Sequence, residues 1–264
     1  MNFFYCLEAF TGIGDRMIFR PDKKAHFEKC QAARNSGWMA INRKIRGSKE
    51  RIRFYMKENK AALALILHFH GNAGSACGRV SLAKRMKEKG IQYVFVEYPG
   101  FSKDRKRPTQ KRTLTNALEV YDFIKRKMNP QNLPLFAHGT SLGSGVATYL
   151  AGKRSLAGLI LHAPFTSMKD VADHLFKGGG RFVTKFTFMA KDWAPLVSNP
   201  VLALHARKDE MIPLRIGEEQ QGYFTRTSFL DSLVFETGTH MNIYERPSYW
   251  TAISDFVKRF RALD

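Results

Sequence analysis

The sequence predicts a single α/β domain, a mostly parallel central sheet flanked by helices on both faces. Strand-like and helix-like runs alternate along the chain, which is the order that builds parallel sheets with crossover helices. The 264 residues are 44% hydrophobic and 12% aromatic, enough for one large core. No internal repeat, low-complexity tract or change of composition marks a second domain.

In chain order, strands are expected at 17–20, 38–45, 51–56, 63–69, 92–97, 133–138, 158–162, 200–205 and 232–236. A helical segment is expected near 77–89 and another from 109 to 127. In the second, Leu114, Leu118, Tyr121 and Ile124 recur at the spacing of one buried stripe, and Pro130 ends the run. A further helix-like run covers 143–151, and the last helix, 247–261, repeats the stripe with Trp250, Ile253, Val257 and Phe260. Between two expected strands lies a long insertion, 164–199, rich in aromatics (Phe165, Phe176, Phe182, Phe186, Phe188, Trp193) and holding Gly178-Gly179-Gly180. Its place at a strand end suggests a small cap with the glycines as a joint, and a packed excursion whose aromatics join the core is equally open.

Chemistry concentrates at strand ends. Gly139-Thr140-Ser141-Leu142-Gly143 is a G-x-S-x-G sequence set between a strand-like and a helix-like run. That setting can hold a serine in a strained turn with its hydroxyl exposed above the sheet. A serine nucleophile needs a base, an acid that orients the base, and donors for the oxyanion. The loop His70-Gly71-Asn72-Ala73-Gly74 follows another strand and can offer one backbone N–H, from Asn72 or, failing that, Ala73; the Leu142 N–H at a helix start offers the second. Asp209 follows the strand at 200–205 and is the candidate acid, with Glu210, Asp170 and Asp173 as competitors. If the chain order is serine, acid, histidine, the eight histidines reduce to His240, which alone lies after Asp209. His70 is expected to brace its loop, His138 and His162 to end strands, and His26 and His174 to lie on the surface; none has metal-ligand spacing.

Four segments together resemble the alpha/beta-hydrolase superfamily: HGNAG at 70–74, EYPGFS at 97–102, GTSLG at 139–143, and HARKD at 205–209 with GTH at 238–240. They look most like the branch containing esterases, lysophospholipases and depalmitoylating thioesterases. The resemblance implies Ser141 as nucleophile, Asp209 as acid and His240 as base, acting through an acyl-enzyme without cofactor or metal. Tyr98 and Phe101 in the second segment and Phe165 at the start of the insertion are then candidate substrate contacts. The chain departs from many relatives at Ser144-Gly145, Phe101-Ser102 and Ala206, and none of these changes removes a catalytic group.

Charge is the other unusual feature, with 43 Lys and Arg against 23 Asp and Glu giving a net +20. Each of the clusters at 43–53, 84–89, 103–112 and 125–127 taken alone reads as a solvated surface, while their sum would raise the concentration of anionic substrates or hold the chain against anionic lipid. Nucleic acid is not an expected partner, since no recognition sequence accompanies the charge, and the sequence leaves oligomeric state open. Neither the apolar stretch at 61–67 nor the N-terminal 1–10 has the length or flanks of a spanning helix or signal peptide. Cys6, Cys30 and Cys77 are odd in number and widely spaced, which suits reduced thiols and a cytoplasmic location, peripheral to a membrane at most.

Overall fold

The computed structural model describes residues 18–45, 50–86, 89–101, 107–180 and 185–261. The N-terminal stretch 1–10, Cys6, Met17, Phe182 and the basic cluster at 103–107, apart from Arg107, lie outside them. Among the described residues ten strands run in chain order: β1 (Arg20–Pro21), β2 (Met39–Lys44), β3 (Arg51–Met56), β4 (Ala64–Phe69), β5 (Ala73–Gly74), β6 (Ile91–Glu97), β7 (Leu135–Thr140), β8 (Gly158–His162), β9 (Val201–Ala206) and β10 (Leu230–Phe235). The short β1 and β5 pair with each other in parallel. The rest form one sheet in the order β10-β9-β8-β7-β4-β6-β3-β2, parallel except where β3 meets β2 and β6. The chain reverses its direction of growth beside β4, with β6 on one side and β7 on the other. That switch point opens a crevice at the strand carboxyl ends, where ligands of such sheets bind.

Alternation along each strand divides the interior in two. Leu65, Leu67 and Phe69 of β4, with Val94 and Val96 of β6, enter one core with helices α2 (Gln110–Phe123) and α3 (Leu142–Ala151). Their neighbours Ala64, Ile66, Tyr93 and Phe95 enter the opposite core, against α1 (Lys23–Asn35) and α7 (Pro247–Phe260). Both faces being covered is why these strands read as unbroken apolar runs. Each fully buried Leu, Ile or Phe contributes about 1.5–3 kcal/mol from burial.

Local chemistry explains the helices. Thr109 caps α2, its side chain accepting the Arg112 N–H at 3.3 Å; Leu114, Tyr121 and Ile124 are buried and Leu118 partly so, and the helix widens into a π-turn at Ile124–Met128 before Pro130. The stripe Trp250, Ile253, Val257 and Phe260 is buried along α7. The expected helix after the 70–74 loop is a run of 3-10 turns, Ala76–Arg85. Outside the 164–199 insertion, two helices escape the sequence pattern, α1 and α6 (Leu214–Gly222). Among the described side chains of α1 the buried ones are His26, Cys30 and Ala33, while Phe27 is 55% exposed, so its inward face carries almost no apolar signal.

The 164–199 insertion divides its aromatics between two destinations. Phe165 and Phe188 are fully buried and Trp193 packs edge-on against Tyr149. By contrast α4 (Met168–Leu175) and Phe176 border the crevice. The polypeptide returns through α5 (Ala190–Trp193). Gly178 takes φ +101°, and a Cβ on Gly180 would run into the Ala172 carbonyl, so two of the three glycines meet backbone demands at the end of α4.

An equally close approach lies under α3. A Cβ at Gly143 would strike the carbonyl of Phe69 on β4, and one at Gly139 would strike the Gly143 carbonyl. Gly143→Ala is therefore expected to destabilise the fold by about 3 kcal/mol or to abolish it. Gly222, with nothing within 4 Å of its Cβ position, should accept alanine within about 0.5 kcal/mol. Urea midpoints of the two variants check this, and equal midpoints would show that the contact carries no stability.

Candidate active site

Ser141 occupies the turn between β7 and α3 with φ 54° and ψ −123°. A non-glycine residue in that region carries about 1–3 kcal/mol of backbone strain, held only where the surroundings over-determine it. The surroundings here are explicit: the Ser141 N–H donates to the His162 carbonyl at 2.8 Å, and its carbonyl accepts the Ser144 N–H at 2.7 Å. The next amide, Leu142, heads α3, where backbone N–H groups lack intrahelical acceptors and positive charge accumulates.

Asp209 lies beyond the end of β9, its carboxylate fully buried. One oxygen accepts the backbone N–H groups of Ile212 (2.8 Å) and Met211 (2.9 Å), and the other faces His240 Nδ1 at 2.7 Å. These bonds fix the carboxylate and leave it able to bind the ring. With Nδ1–H donated to Asp209, the His240 Nε2 is the basic nitrogen. His205 also approaches Asp209, at 3.6 Å, but its Nε2–H donates to the Ile212 carbonyl at 2.8 Å, and burial lowers its pKa. The competing acid Asp170 accepts the hydroxyls of Thr166 and Ser167, both at 2.7 Å.

Ser141 and His240 line one cavity of about 400 Å³, together with Asn72, Ala73 and Leu142. Sequence separation within this group is large, and the sheet edge is what unites it: β4, β7, β9 and β10 all end here. The Asn72 loop is held from below. His70 donates from Nδ1 to the Gly71 carbonyl at 2.8 Å and faces Glu97 at 3.4 Å, while the Arg20 N–H donates to the Asn72 carbonyl at 2.8 Å.

Three expected substrate contacts lie elsewhere. Tyr98, Phe101 and Phe165 are buried and none lines the cavity. The Tyr98 hydroxyl donates to the His70 carbonyl at 2.7 Å and Phe101 packs against the His70 ring, so both support the loop from its far side. Phe165 lies over Gly145 of α3, where even a Cβ would come within 2.8 Å of its ring. The apolar wall comes instead from Met168, Val171, Leu175, Phe176, Met211 and Met241, and two cations, Arg20 and Arg79, share the cavity with one acid, Glu210. Apart from Phe176 of the insertion and Glu210 beside Asp209, nothing in the local sequence marked these residues, which reach the cavity from five separate segments.

Beneath the cavity is a layer of histidines. His68, His138 and His162 are buried; Tyr249 Oη bridges His138 Nε2 (3.0 Å) and His162 Nδ1 (3.3 Å), and His68 meets His138 edge-on. Burial is the largest cause of a lowered pKa in all three, to about 3 for His138 and well below the ordinary value for His68 and His162.

Two further expectations are corrected. Cys30 and Cys77, 47 residues apart, are joined as a disulfide rather than standing as separate thiols, and His26 is buried rather than on the surface. The ligand atoms of His26, Cys30 and Cys77 all lie within 4.8 Å of one another, an arrangement a metal can use. The i, i+4 spacing of His26 and Cys30 was visible in the sequence, but it had meaning only once α1 was known to be a helix.

The sheet order, the strained serine turn and the buried carboxylate–imidazole pair define an alpha/beta-hydrolase. The sequence profile described as "Serine aminopeptidase, S33" matches residues 60–215, more than half of the chain. The chain belongs to that family. It is 29% identical over 234 residues to the lysophosphatidylserine lipase ABHD12 of Danio rerio, covering 78% of this chain and 61% of that protein. It thus spans less than two thirds of that relative's length. Among solved structures it resembles an alpha-beta hydrolase of Vibrio vulnificus (TM-score 0.72, 16% identity, 96% of this chain and 92% of the other). A Pyrococcus furiosus esterase matches at TM-score 0.71 and 10% identity, over 84% and 90% of the two chains. No helix among the described residues is long and apolar enough to cross a membrane.

The histidine layer sets an acid limit. Unfolded histidines titrate near about 6.5, while the buried three stay neutral to lower pH, so below that value the unfolded chain binds protons that the folded chain does not. Stability is full above the unfolded value and falls as pH drops towards the folded value of about 3. His138 alone accounts for about 1.4 kcal/mol per pH unit over that window. Urea unfolding should lose at least about 2 kcal/mol between pH 6.5 and 5. A flat stability profile would contradict neutral burial.

Proposed function

We propose that this chain is a serine hydrolase that cleaves carboxylic esters or thioesters of apolar acyl groups. The observation that carries the reading is the 2.7 Å bond from His240 to a buried, doubly N–H-bonded Asp209, in a cavity that Ser141 also lines. His240 Nε2 takes the proton as the Ser141 hydroxyl attacks the acyl carbonyl. Asp209 holds the ring in the required tautomer and stabilises the imidazolium. The amides of Leu142 and Asn72, with Ala73 as the substitute, receive the oxyanion. The imidazolium then protonates the leaving group, and water activated by the same base releases the acid.

The substrate class follows from the wall. Leu175, Phe176, Met211 and Met241 are large apolar side chains left 38–56% exposed around the cavity, which suits a lipid-like acyl chain and a cap role for α4. Arg20 and Arg79 suit a polar or anionic remainder, in keeping with a relative that carries the name lysophosphatidylserine lipase. The net charge of +20 supports peripheral contact with anionic lipid. A peptidase reading draws on the family description and on Glu210, which could hold a free amine; the two arginines lining the same cavity oppose a cationic substrate.

A fluorophosphonate probe should label the wild-type chain at Ser141 and leave Ser141→Ala unlabelled. Asp209→Asn should lower kcat about 10⁴-fold with little change in KM, since the ring loses its tautomer rather than its substrate. Labelling that persists in Ser141→Ala would refute the assignment. Across p-nitrophenyl esters, kcat/KM should rise with acyl length by up to about fourfold per methylene, from about 0.8 kcal/mol of burial each. A preference for acetyl esters, or for aminoacyl p-nitroanilides over all esters, would displace the lipid-like reading.

A further inference from the structure

A second cluster lies away from the reacting atoms, between α1 and the 3-10 turns that follow the Asn72 loop. His26 and Cys30 project from consecutive turns of α1, Cys77 comes from the facing turns, and Glu97 reaches in from the end of β6. From His26 Nδ1 the distances are 3.5 Å to Cys30 Sγ, 3.9 Å to Cys77 Sγ and 3.7 Å to Glu97 Oε2. A tetrahedral zinc site with Zn–S of about 2.3 Å and Zn–N or Zn–O of about 2.1 Å has N···S edges of about 3.6 Å and N···O edges of about 3.4 Å. The two N···S separations are close to that edge. Within the His26, Cys30 and Cys77 group only the two sulfurs are nearer than such a site requires, because they are bonded to each other.

A disulfide that served only as a crosslink would need neither an imidazole nor a carboxylate beside it, and here both are buried, the imidazole against the sulfurs and the carboxylate against the imidazole. We propose that reduction of the Cys30–Cys77 bond converts this cluster into a binding site for a zinc-class divalent cation, with His26, Cys30 and Cys77 as the protein ligands, solvent completing the tetrahedron and Glu97 orienting the His26 ring. The conversion is a thiol–disulfide exchange. A dithiol reductant supplies two electrons and two protons and itself becomes a disulfide; cation binding then releases the two thiol protons to solvent, and the sulfurs separate to about 3.8 Å.

The surroundings fit the product. Two thiolates on a dication with the Glu97 carboxylate beside the His26 ring leave one net negative charge, and Arg34 and Arg53 line a cavity of about 330 Å³ that reaches His26 and Cys30. That cavity gives reductant and cation a path in. The Tyr55 hydroxyl, 3.4 Å from Cys30 Sγ, can donate to the thiolate. Glu97 connects the cluster to the hydrolytic site: its two oxygens accept the Ala76 N–H, each at 3.3 Å, and one faces His70 at 3.4 Å.

Cobalt(II) titration of the full chain tests the proposal without reference to catalysis. After reduction by dithiothreitol and its removal under anaerobic conditions, the chain should bind one cobalt per molecule, with a thiolate-to-cobalt charge-transfer band and the intense visible bands of a tetrahedral site. Zinc(II) should displace it. The oxidised chain should bind none, and this control has the same sequence and an intact fold. Cys30→Ser with Cys77→Ser should abolish the charge-transfer band, Cys6→Ser should retain it, and His26→Ala should weaken binding at least about tenfold. A reduced chain that shows no charge-transfer band, or a band that survives loss of both Cys30 and Cys77, would overturn the proposal and leave a disulfide alone.

Discussion

The contact on which the molecule depends is the approach of α3 to the carbonyl end of β4. Gly143 passes so close to the Phe69 carbonyl that no side chain fits, and Gly139 is equally close to Gly143. This contact sets the angle of the turn between β7 and α3, and that angle forces Ser141 into its positive-φ conformation. The strain is local, and the burial of α3 on nearly every side holds it. The same contact brings the start of α3 beside the loop that carries Asn72, so one packing event positions both the hydroxyl and the amide proposed to receive the oxyanion.

Electrostatics completes the arrangement from the other half of the sheet. Asp209 is buried, yet two backbone N–H groups and His240 satisfy it, so the charge has partners in place of water. Below it, the neutral histidines and Tyr249 form a polar floor that introduces no competing cation. Above it the wall is apolar and carries its charges on Arg20, Arg79 and Glu210. A chain with a net charge of +20 thus keeps a buried carboxylate at this end of the sheet, satisfied by backbone N–H groups and one imidazole.

Much of this was legible in the sequence because it obeys periodicities. The parallel sheet, the stripes of α2 and α7 and the serine turn follow from apolar spacing and from glycines at fixed offsets. His240 followed from chain order alone, and its bond to Asp209 is seen in the structure. What escaped notice depends on direction rather than spacing. Tyr98 and Phe101 stand beside the right loop, yet whether an aromatic ring faces the cavity or the loop's underside is decided by packing against His70. Helix α1 buries a histidine, a cysteine and an alanine where the pattern needs leucines, so neither it nor the pairing of Cys30 with Cys77 could be read.

The central claim is that Ser141, His240 and Asp209 act as one catalytic unit, and their non-additivity measures it most directly. With kcat for a medium-chain p-nitrophenyl ester determined for Ser141→Ala, His240→Ala and the triple alanine variant, the account predicts that each single change costs nearly as much as all three, about 10⁶-fold. Losses that multiply, with the triple variant far below either single one, would mean that the three residues act independently and would contradict it.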